Sequence, residues 1–391
     1  MEKSMANGNL SKAKSAKNDE FYTQYTDIQR EVNAYLEYDA DVFRGKTVLL
    51  PCDDPEWSNF TKFFAQNFEQ FGLKKLISTS YAIDAKRSKY GVLFDFTADD
   101  DTARGKIFVL DHDTNRNGRI DIEDLEWHYL EGDGDFRSGE VKKLRDEADI
   151  IVTNPPFSLF REFLAWIVEA EKKFLIIGNM NAITYKEVFP LIQENKLWMG
   201  ESIHSGDREF GVPDEYPLFA AGSRIDDDGK KFIRVKGVRW FTNLEHGRRH
   251  QPLQLMTEKD NIKFSKHKEV KDIGYRKYDN YEAIEVPYTD AIPGDYTGVM
   301  GVPISFLDKY CPEQFEILGI SKTWFGGATK IYPLQIEVGK NGNRKPVSKL
   351  NDGAVLKLDF EPSGETYYLV DGIPYTQLYA RIFIRIKGKD I

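Results

Sequence analysis

The run DIIVT, Asp149 to Thr153, meets Asn154-Pro155-Pro156-Phe157 and then apolar residues at helical spacing: Phe160, Phe163, Leu164, Ile167 and Val168. No other stretch of the chain constrains its fold as tightly. A short continuous apolar run reads as a buried strand. Proline donates no backbone hydrogen bond, so two in succession end the ladder. The chain must pass straight from a core strand into a helix, with Asn154 at the strand's carboxyl end. In open α/β sheets ligands bind beyond such ends.

The flanking sequence repeats the alternation. KTVLLP, KKLISTS, KIFVL and KKFLIIGN read as further strands. TDIQREVNAYLEY and the aromatic WSNFTKFFAQNFEQFG, ending at Gly72, read as helices. Strands alternating with helices predict an α/β fold, a mainly parallel sheet with helices on both faces. From about Gly200 the pattern changes to a mixed α/β region. There KFIRVKGVRWF reads as strand, KNGNRKP as a loop and YARIFIRIKG as a closing strand. Residues 1–17 are polar and basic and read as a disordered arm. A domain boundary is expected near residue 250, giving 18–250 and 251–391.

Three properties converge at Asn154. Its amide oxygen is an acceptor. Pro155 keeps a carbonyl held in direction by two restricted rings. Phe157 offers a flat face. Two acceptors and an aromatic platform suit a planar group bearing an exocyclic amine, which could attack an electrophilic methyl group in line. The alternative is a proline turn followed by a core Phe.

Composition narrows the setting. No window approaches the apolar length that crosses a bilayer, and the start of the chain is not signal-like. With only Cys52 and Cys311, no disulfide scaffold is available, which fits a reducing cytoplasm. The net charge of −9 is unevenly spread. Gly91 to Ile150 holds 17 acidic and 8 basic residues, whereas Lys231 to Asn280 holds 13 basic and 6 acidic. The basic stretch, with Arg234, Lys236, Arg239, Arg248, Arg249, Lys263, Lys266 and Lys268, is the candidate for contacts to a polyanion's phosphate backbone. A solvated charged face is the other reading. Trp240 and Phe241 lie within it, either as core or facing a groove.

NPPF after a hydrophobic strand resembles motif IV of the amino-methyltransferases that use S-adenosylmethionine. More closely, the chain resembles the EcoRI-type adenine-specific DNA modification methyltransferases. The resemblance runs from about Asn18 onward through NDEFYTQYTDIQREV, VLLPCDDPEWSNFTKFF, GDGDFRSGE, DIIVTNPPFSLFREF, FLIIGNMNAITYKEVFP, VKGVRWFTNLEH, YDNYEAIEV and GVMGVPISFLDKYCPEQFEILG. It implies a Rossmann-like methyltransferase domain followed by a target-recognition region. It also implies methyl transfer from S-adenosylmethionine to adenine in double-stranded DNA after base flipping. A separately acting cognate restriction endonuclease is compatible with it, as is a monomer.

By that resemblance Asn154, Pro155, Pro156 and Phe157 form the catalytic motif: Asn154 and Pro155 hold the target amine and Phe157 stacks on the flipped adenine. Phe21, Tyr22 and Thr23 close over the cofactor's methionine end. Pro51, Cys52 and Asp53 take the place of a glycine-rich cofactor loop, and Asp135 and Phe136 contact the cofactor's adenine. Tyr22 and Phe136 are also readable as core aromatics, and Asp53 as a helix cap. The chain departs from the common pattern in having no Gly-x-Gly after TVLL. Two other readings compete: methylation of a cytosine or protein-glutamine amine, and a calcium-dependent DNA-binding module with an inert methyltransferase core.

DTNRNGRIDIED, Asp113 to Asp124, follows the spacing of a calcium loop. Asp113, Asn115, Asn117 and Asp121 fall at ligand positions, with Arg119 offering its carbonyl and Gly118 taking the turn. Asp124 closes the loop where a longer Glu is usual, which predicts a weaker calcium site or a magnesium-like one, bracing the insertion rather than taking part in methyl transfer. An Asp/Asn/Gly-rich turn in an acidic insertion, about 91–132, is the alternative.

Overall fold

The computed structural model describes residues 21–53, 58–82, 104–204, 206–212, 216, 218 and 222–388. The expected arm at 1–17, the first part of the acidic insertion, and Asp54 and Pro55 lie outside them. The described residues form two compact units. The first runs to Ala182 and adds Leu197–Gly247. The second comprises Ile183–Lys196 and Arg248–Ile391.

The first unit is built on an eight-stranded sheet. Its strands are β2 (Thr47–Leu50), β3 (Lys75–Ser80), β4 (Lys106–Leu110), β5 (Glu126–Tyr129), β6 (Ile150–Thr153), β7 (Lys173–Asn179), β8 (Trp198–Met199) and β12 (Val238–Thr242). Their order is β5-β4-β3-β2-β6-β7-β12-β8. The central pairings β3–β2, β2–β6 and β6–β7 are parallel, and the outer four are antiparallel. The expectation of a mainly parallel sheet is corrected to a parallel centre with antiparallel flanks. KIFVL is the cause on one side, since β4 turns back onto β3.

All residues of β2 and β6 are buried, as they must be when both faces of a sheet are covered. Val48, Leu50, Ile150, Val152, Leu175 and Ile177 face a core shared with helices α1 (Tyr25–Tyr38) and α2 (Asn59–Gln66). That core takes Ile28, Val32 and Tyr35 from α1 and Phe60, Phe63 and Phe64 from α2. A short helix, α3 (Phe68–Phe71), follows and ends at Gly72 in the left-handed region, φ 61°. Helix α4 (Gly139–Glu147) leads into β6. Helix α5 (Phe160–Glu169) packs on the opposite face, where Phe160 meets Phe241 at 5.0 Å between ring centroids. A Cβ at Gly178 would lie 2.4 Å from the Phe160 ring, so only glycine lets helix and strand approach this closely.

KFIRVKGVRWF, read as one strand, is two. Gly237, at φ 71°, breaks it. The first half is β11 (Lys231–Lys236), which joins a second sheet of order β1-β9-β11-β10. That sheet contains β1 (Tyr22–Thr23), β9 (Asp207–Val212) and β10 (Arg224–Ile225). The second half is β12 of the main sheet.

In the second unit, β13 (Ile284–Glu285), β14 (Met300–Pro303), β15 (Phe315–Ile320) and β21 (Arg381–Ile386) form one sheet. Strands β16 (Gln335–Val338), β17 (Arg344–Val347), β18 (Val355–Lys357), β19 (Tyr367–Val370) and β20 (Ile373–Gln377) form another, in the order β17-β16-β19-β20-β18. Within this unit helix α6 (Phe189–Gln193) meets the segment around β15: Gln193 Nε2 donates to the Leu318 carbonyl at 3.0 Å, and Phe189 lies against Trp324 and Phe325. Helix α7 (Glu258–Phe264) also belongs to it. KNGNRKP, expected as a loop, is a turn followed by β17.

Candidate active site

The chain order of the parallel strands reverses between β2 and β6. From β2 the sheet grows to β3 on one side and to β6 and β7 on the other. In sheets of this kind ligands bind beyond the carboxyl ends of the strands on either side of such a reversal, here β2 and β6. Pro51-Cys52-Asp53 follows β2 there, and Asn154-Pro155-Pro156-Phe157 follows β6.

Asp53 joins the two ends. It is buried, its Oδ2 accepts from Thr153 Oγ1 at 2.6 Å, and its Oδ1 accepts from Ser58 Oγ at 2.7 Å. Ser58 is the N-cap of α2, accepting from Phe60 N. The Asp53 amide donates to Thr79 O, and its carbonyl accepts from Ser78 Oγ. One residue thus ties β2, β3, β6 and α2 together. A loop without glycines holds its shape here through side-chain hydrogen bonds rather than through backbone freedom.

Asn154 is 7% exposed. Its Nδ2 donates to the Phe21 carbonyl at 2.7 Å, which fixes the amide's orientation, because the reverse would set oxygen against oxygen. Its Oδ1 is buried with no hydrogen-bond partner among the described residues. A buried acceptor left open costs free energy unless a ligand satisfies it. The Pro155 carbonyl also takes no hydrogen bond among the described residues, whereas that of Pro156 accepts from Leu159 N. Phe157 is half-buried, with the Phe21 ring edge-on to it at 5.7 Å.

The N-terminal motif is therefore at the same place. Phe21 is buried, and Tyr22 and Thr23 pair with Gly211 and Phe210 of β9. Thr23 O accepts from Asn59 Nδ2. The hydroxyls of Thr23 and of Thr79 at the end of β3 are buried without partners among the described residues. Open polar atoms near these strand ends fit a polar ligand such as S-adenosylmethionine.

Asp135 and Phe136 also lie near the end of β3: Ala82 N donates to Asp133 O, and Gly134 packs on the Ser80 carbonyl. Phe136 is buried against Phe163 and Trp166. Asp135 holds the Arg137 guanidinium, which also reaches Glu162. The Asp135 carboxylate pushes the Arg137 pKa further up. Thr153, Ser58 and Asn59 support the site and carry no motif of their own; the helix cap read at Asp53 falls instead to Ser58.

Two predicted DNA contacts are corrected. Arg239 and Arg249 are 4% and 3% exposed. Arg239 lies on the fully buried β12 and donates to the Val238 and His204 carbonyls, and Arg249 binds Asn195 Oδ1. A guanidinium held this way cannot reach a phosphate. Trp240 and Phe241 are core. Arg234, Lys236, Lys263, Lys266 and Lys268 are exposed and Arg248 is half-buried. Lys266 pairs with Asp290 at 2.8 Å. The stretch divides between the units, Arg234, Lys236 and Arg239 in the first and the remainder in the second.

The calcium reading is also corrected. Among the described residues no group of three or more His, Cys, Asp or Glu is arranged to hold a metal. The loop's oxygens serve its own backbone. Asp113 accepts from Asn117 N and Gly118 N, Asn115 from Asn117 N, Asn117 from Arg119 N, and Asp121 from Glu123 N. Asp124 turns inward and accepts from the amides of Asp121, Thr114 and Asn115. Those donors, the Asp121 amide foremost, hold its carboxyl below the usual range.

Residues 9–387 match the family described as "Adenine-specific methyltransferase EcoRI". The Type II methyltransferase M.EcoRI of Escherichia coli is 44% identical over 322 residues, covering 82% of this chain and 92% of the relative. The Type II methyltransferase M.MpnI of Mycoplasma pneumoniae is 37% identical over 311 residues, covering 79% of this chain and 84% of the relative. No solved structure matches the chain. A family match over nearly the whole length, with the NPPF strand end and its open acceptor in place, settles the affiliation: the chain belongs to the EcoRI family of adenine-specific methyltransferases.

Proposed function

We propose that this chain methylates the exocyclic amine of adenine in a specific double-stranded DNA sequence, using S-adenosylmethionine, as one half of a restriction-modification pair. The observation that carries the site assignment is the buried, unpartnered Oδ1 of Asn154, locked in direction by the Phe21 carbonyl. Oδ1 and the Pro155 carbonyl accept the two amine hydrogens. Holding both draws lone-pair density onto nitrogen and out of the ring plane. Phe157 supplies the face on which the flipped base stacks. Positioning of the amine, rather than a strong general base, is what these residues contribute.

S-adenosylmethionine supplies the electrophilic methyl carbon when bound. Phe21 to Thr23, Pro51, Cys52, Asp135 and Phe136 would line its site, with the Thr23 and Thr79 hydroxyls available to it. Asp53 acts there through its links to β6 and α2. The first unit is then a Rossmann-like catalytic domain and the second the target-recognition region. Arg234, Lys236, Arg248, Lys263, Lys266 and Lys268 are the phosphate contacts in this reading. It is that of a cytoplasmic enzyme, and among the described residues no helix is long and apolar enough to cross a membrane.

The test is transfer of labelled methyl to DNA, with the product nucleoside identified by mass spectrometry. Asn154→Ala should lower the rate by about a thousandfold or more while S-adenosylmethionine still binds, because one of the two acceptors is gone. Full activity in that variant, or a product other than N6-methyladenine, would overturn the reading.

A further inference from the structure

The hairpin of β16 and β17 has no part in the site described above. Strand β17 is the terminal strand of its sheet, and every residue from Lys340 to Pro346 is exposed. The segment Gly339 to Val347 holds three cations and two Asn amides and no acid. The turn is closed by Gly339 N to Asn343 O at 2.9 Å and Gly342 N to Gly339 O at 2.8 Å, with Gly342 at φ 77°. Its base is pinned by Glu337, which takes Lys345 at 2.8 Å and Lys349 at 2.7 Å. Lys340 and Arg344 pair with no carboxylate among the described residues.

A rigid, exposed, basic two-stranded ribbon has the dimensions and charge to enter the major groove. Asn side chains can bond an adenine edge in bidentate fashion, and cations take phosphates or guanine. Strand addition by a protein partner is disfavoured, because Pro346 removes a donor and two adjacent cations guard the edge. We propose that this hairpin reads the DNA duplex, with Lys340 and Arg344 gripping it and Asn341 and Asn343 contacting base edges. The proposal rests on the DNA-methylating reading above.

The test uses the full chain and a short duplex carrying the site located by sequencing of modified bases. Lys340→Ala with Arg344→Ala should weaken binding and lower the salt slope of log affinity by about 2, since each phosphate contact contributes roughly 0.9. Asn341→Ala with Asn343→Ala should cut discrimination against single-mismatch duplexes by about tenfold or more. Thermal melting of both variants at the parental temperature shows that they are folded. Parental salt slope and parental discrimination in folded variants would overturn the hairpin's role while the parent's methylation of DNA still stands. A parent that methylates no DNA would overturn the underlying reading, and the proposal with it.

Discussion

At the scale of single residues, the site depends on polar atoms that satisfy one another, and on others left open, Asn154 Oδ1 among them. Asp53 is the clearest case of the first kind. Its carboxylate accepts from two hydroxyls of elements far apart in sequence. Asp53→Ala leaves the Thr153 and Ser58 hydroxyls buried without an acceptor, so unfolding free energy should fall by about 2–4 kcal/mol. Denaturant titration measures it. A double-mutant cycle with Thr153→Val should give a coupling of at least about 0.5 kcal/mol, and additivity would remove the strut. The position of Asn154 at the end of a buried strand was legible because two prolines leave few readings of the strand before them. The burial of Arg239 and Arg249 was not. Sequence marks a guanidinium as charged, but its position is decided by distant carbonyl and amide oxygens: His204 for the first, Asn195 for the second.

At the scale of elements, apolar runs identified β2, β3, β6 and β7, because strands buried on both faces can be little else. The break at Gly237 escaped, since continuous strand-like residues on both sides conceal a change of sheet. The acidic loop shows how one composition serves two ends: ligand spacing and turn spacing call for the same Asp, Asn and Gly. Asp124 there binds the ends of its own loop, while Ile120 N donates to Glu69 Oε1 of α3. Because its folded pKa lies below the unfolded value of 3.8, its contribution is present above that value. It is lost as pH falls through the folded pKa. Protection of the Thr114 and Asn115 amides from exchange should therefore fall as pH drops below the unfolded value, and Asp124→Asn should lower that protection already at neutral pH. An unchanged exchange profile in the variant would remove this role.

At the scale of the whole molecule, the chain does not divide at one point. Ile183–Lys196 belongs with the second unit although most of the first unit's sequence surrounds it. A single boundary near residue 250 could not express this, because a short helix gives no sign of which core will take it. A fragment ending at Gly247 would strip Phe189 of Trp324 and Phe325 and expose a fully buried ring, at a cost of about 2 kcal/mol. Such a fragment should bind a hydrophobic dye and self-associate in sedimentation, unlike the full chain. A monomeric fragment that leaves the dye unbound would contradict this.

The bond from Asn154 to Phe21 runs to a main-chain carbonyl. Exchange of the Phe21 side chain alters the ring beside Phe157 but leaves that oxygen in place. A substitution scan would thus rank position 21 by its aromatic contact alone and record nothing of its second task. That task becomes measurable when the amide between residues 21 and 22 is replaced by an ester, whose carbonyl is the weaker acceptor.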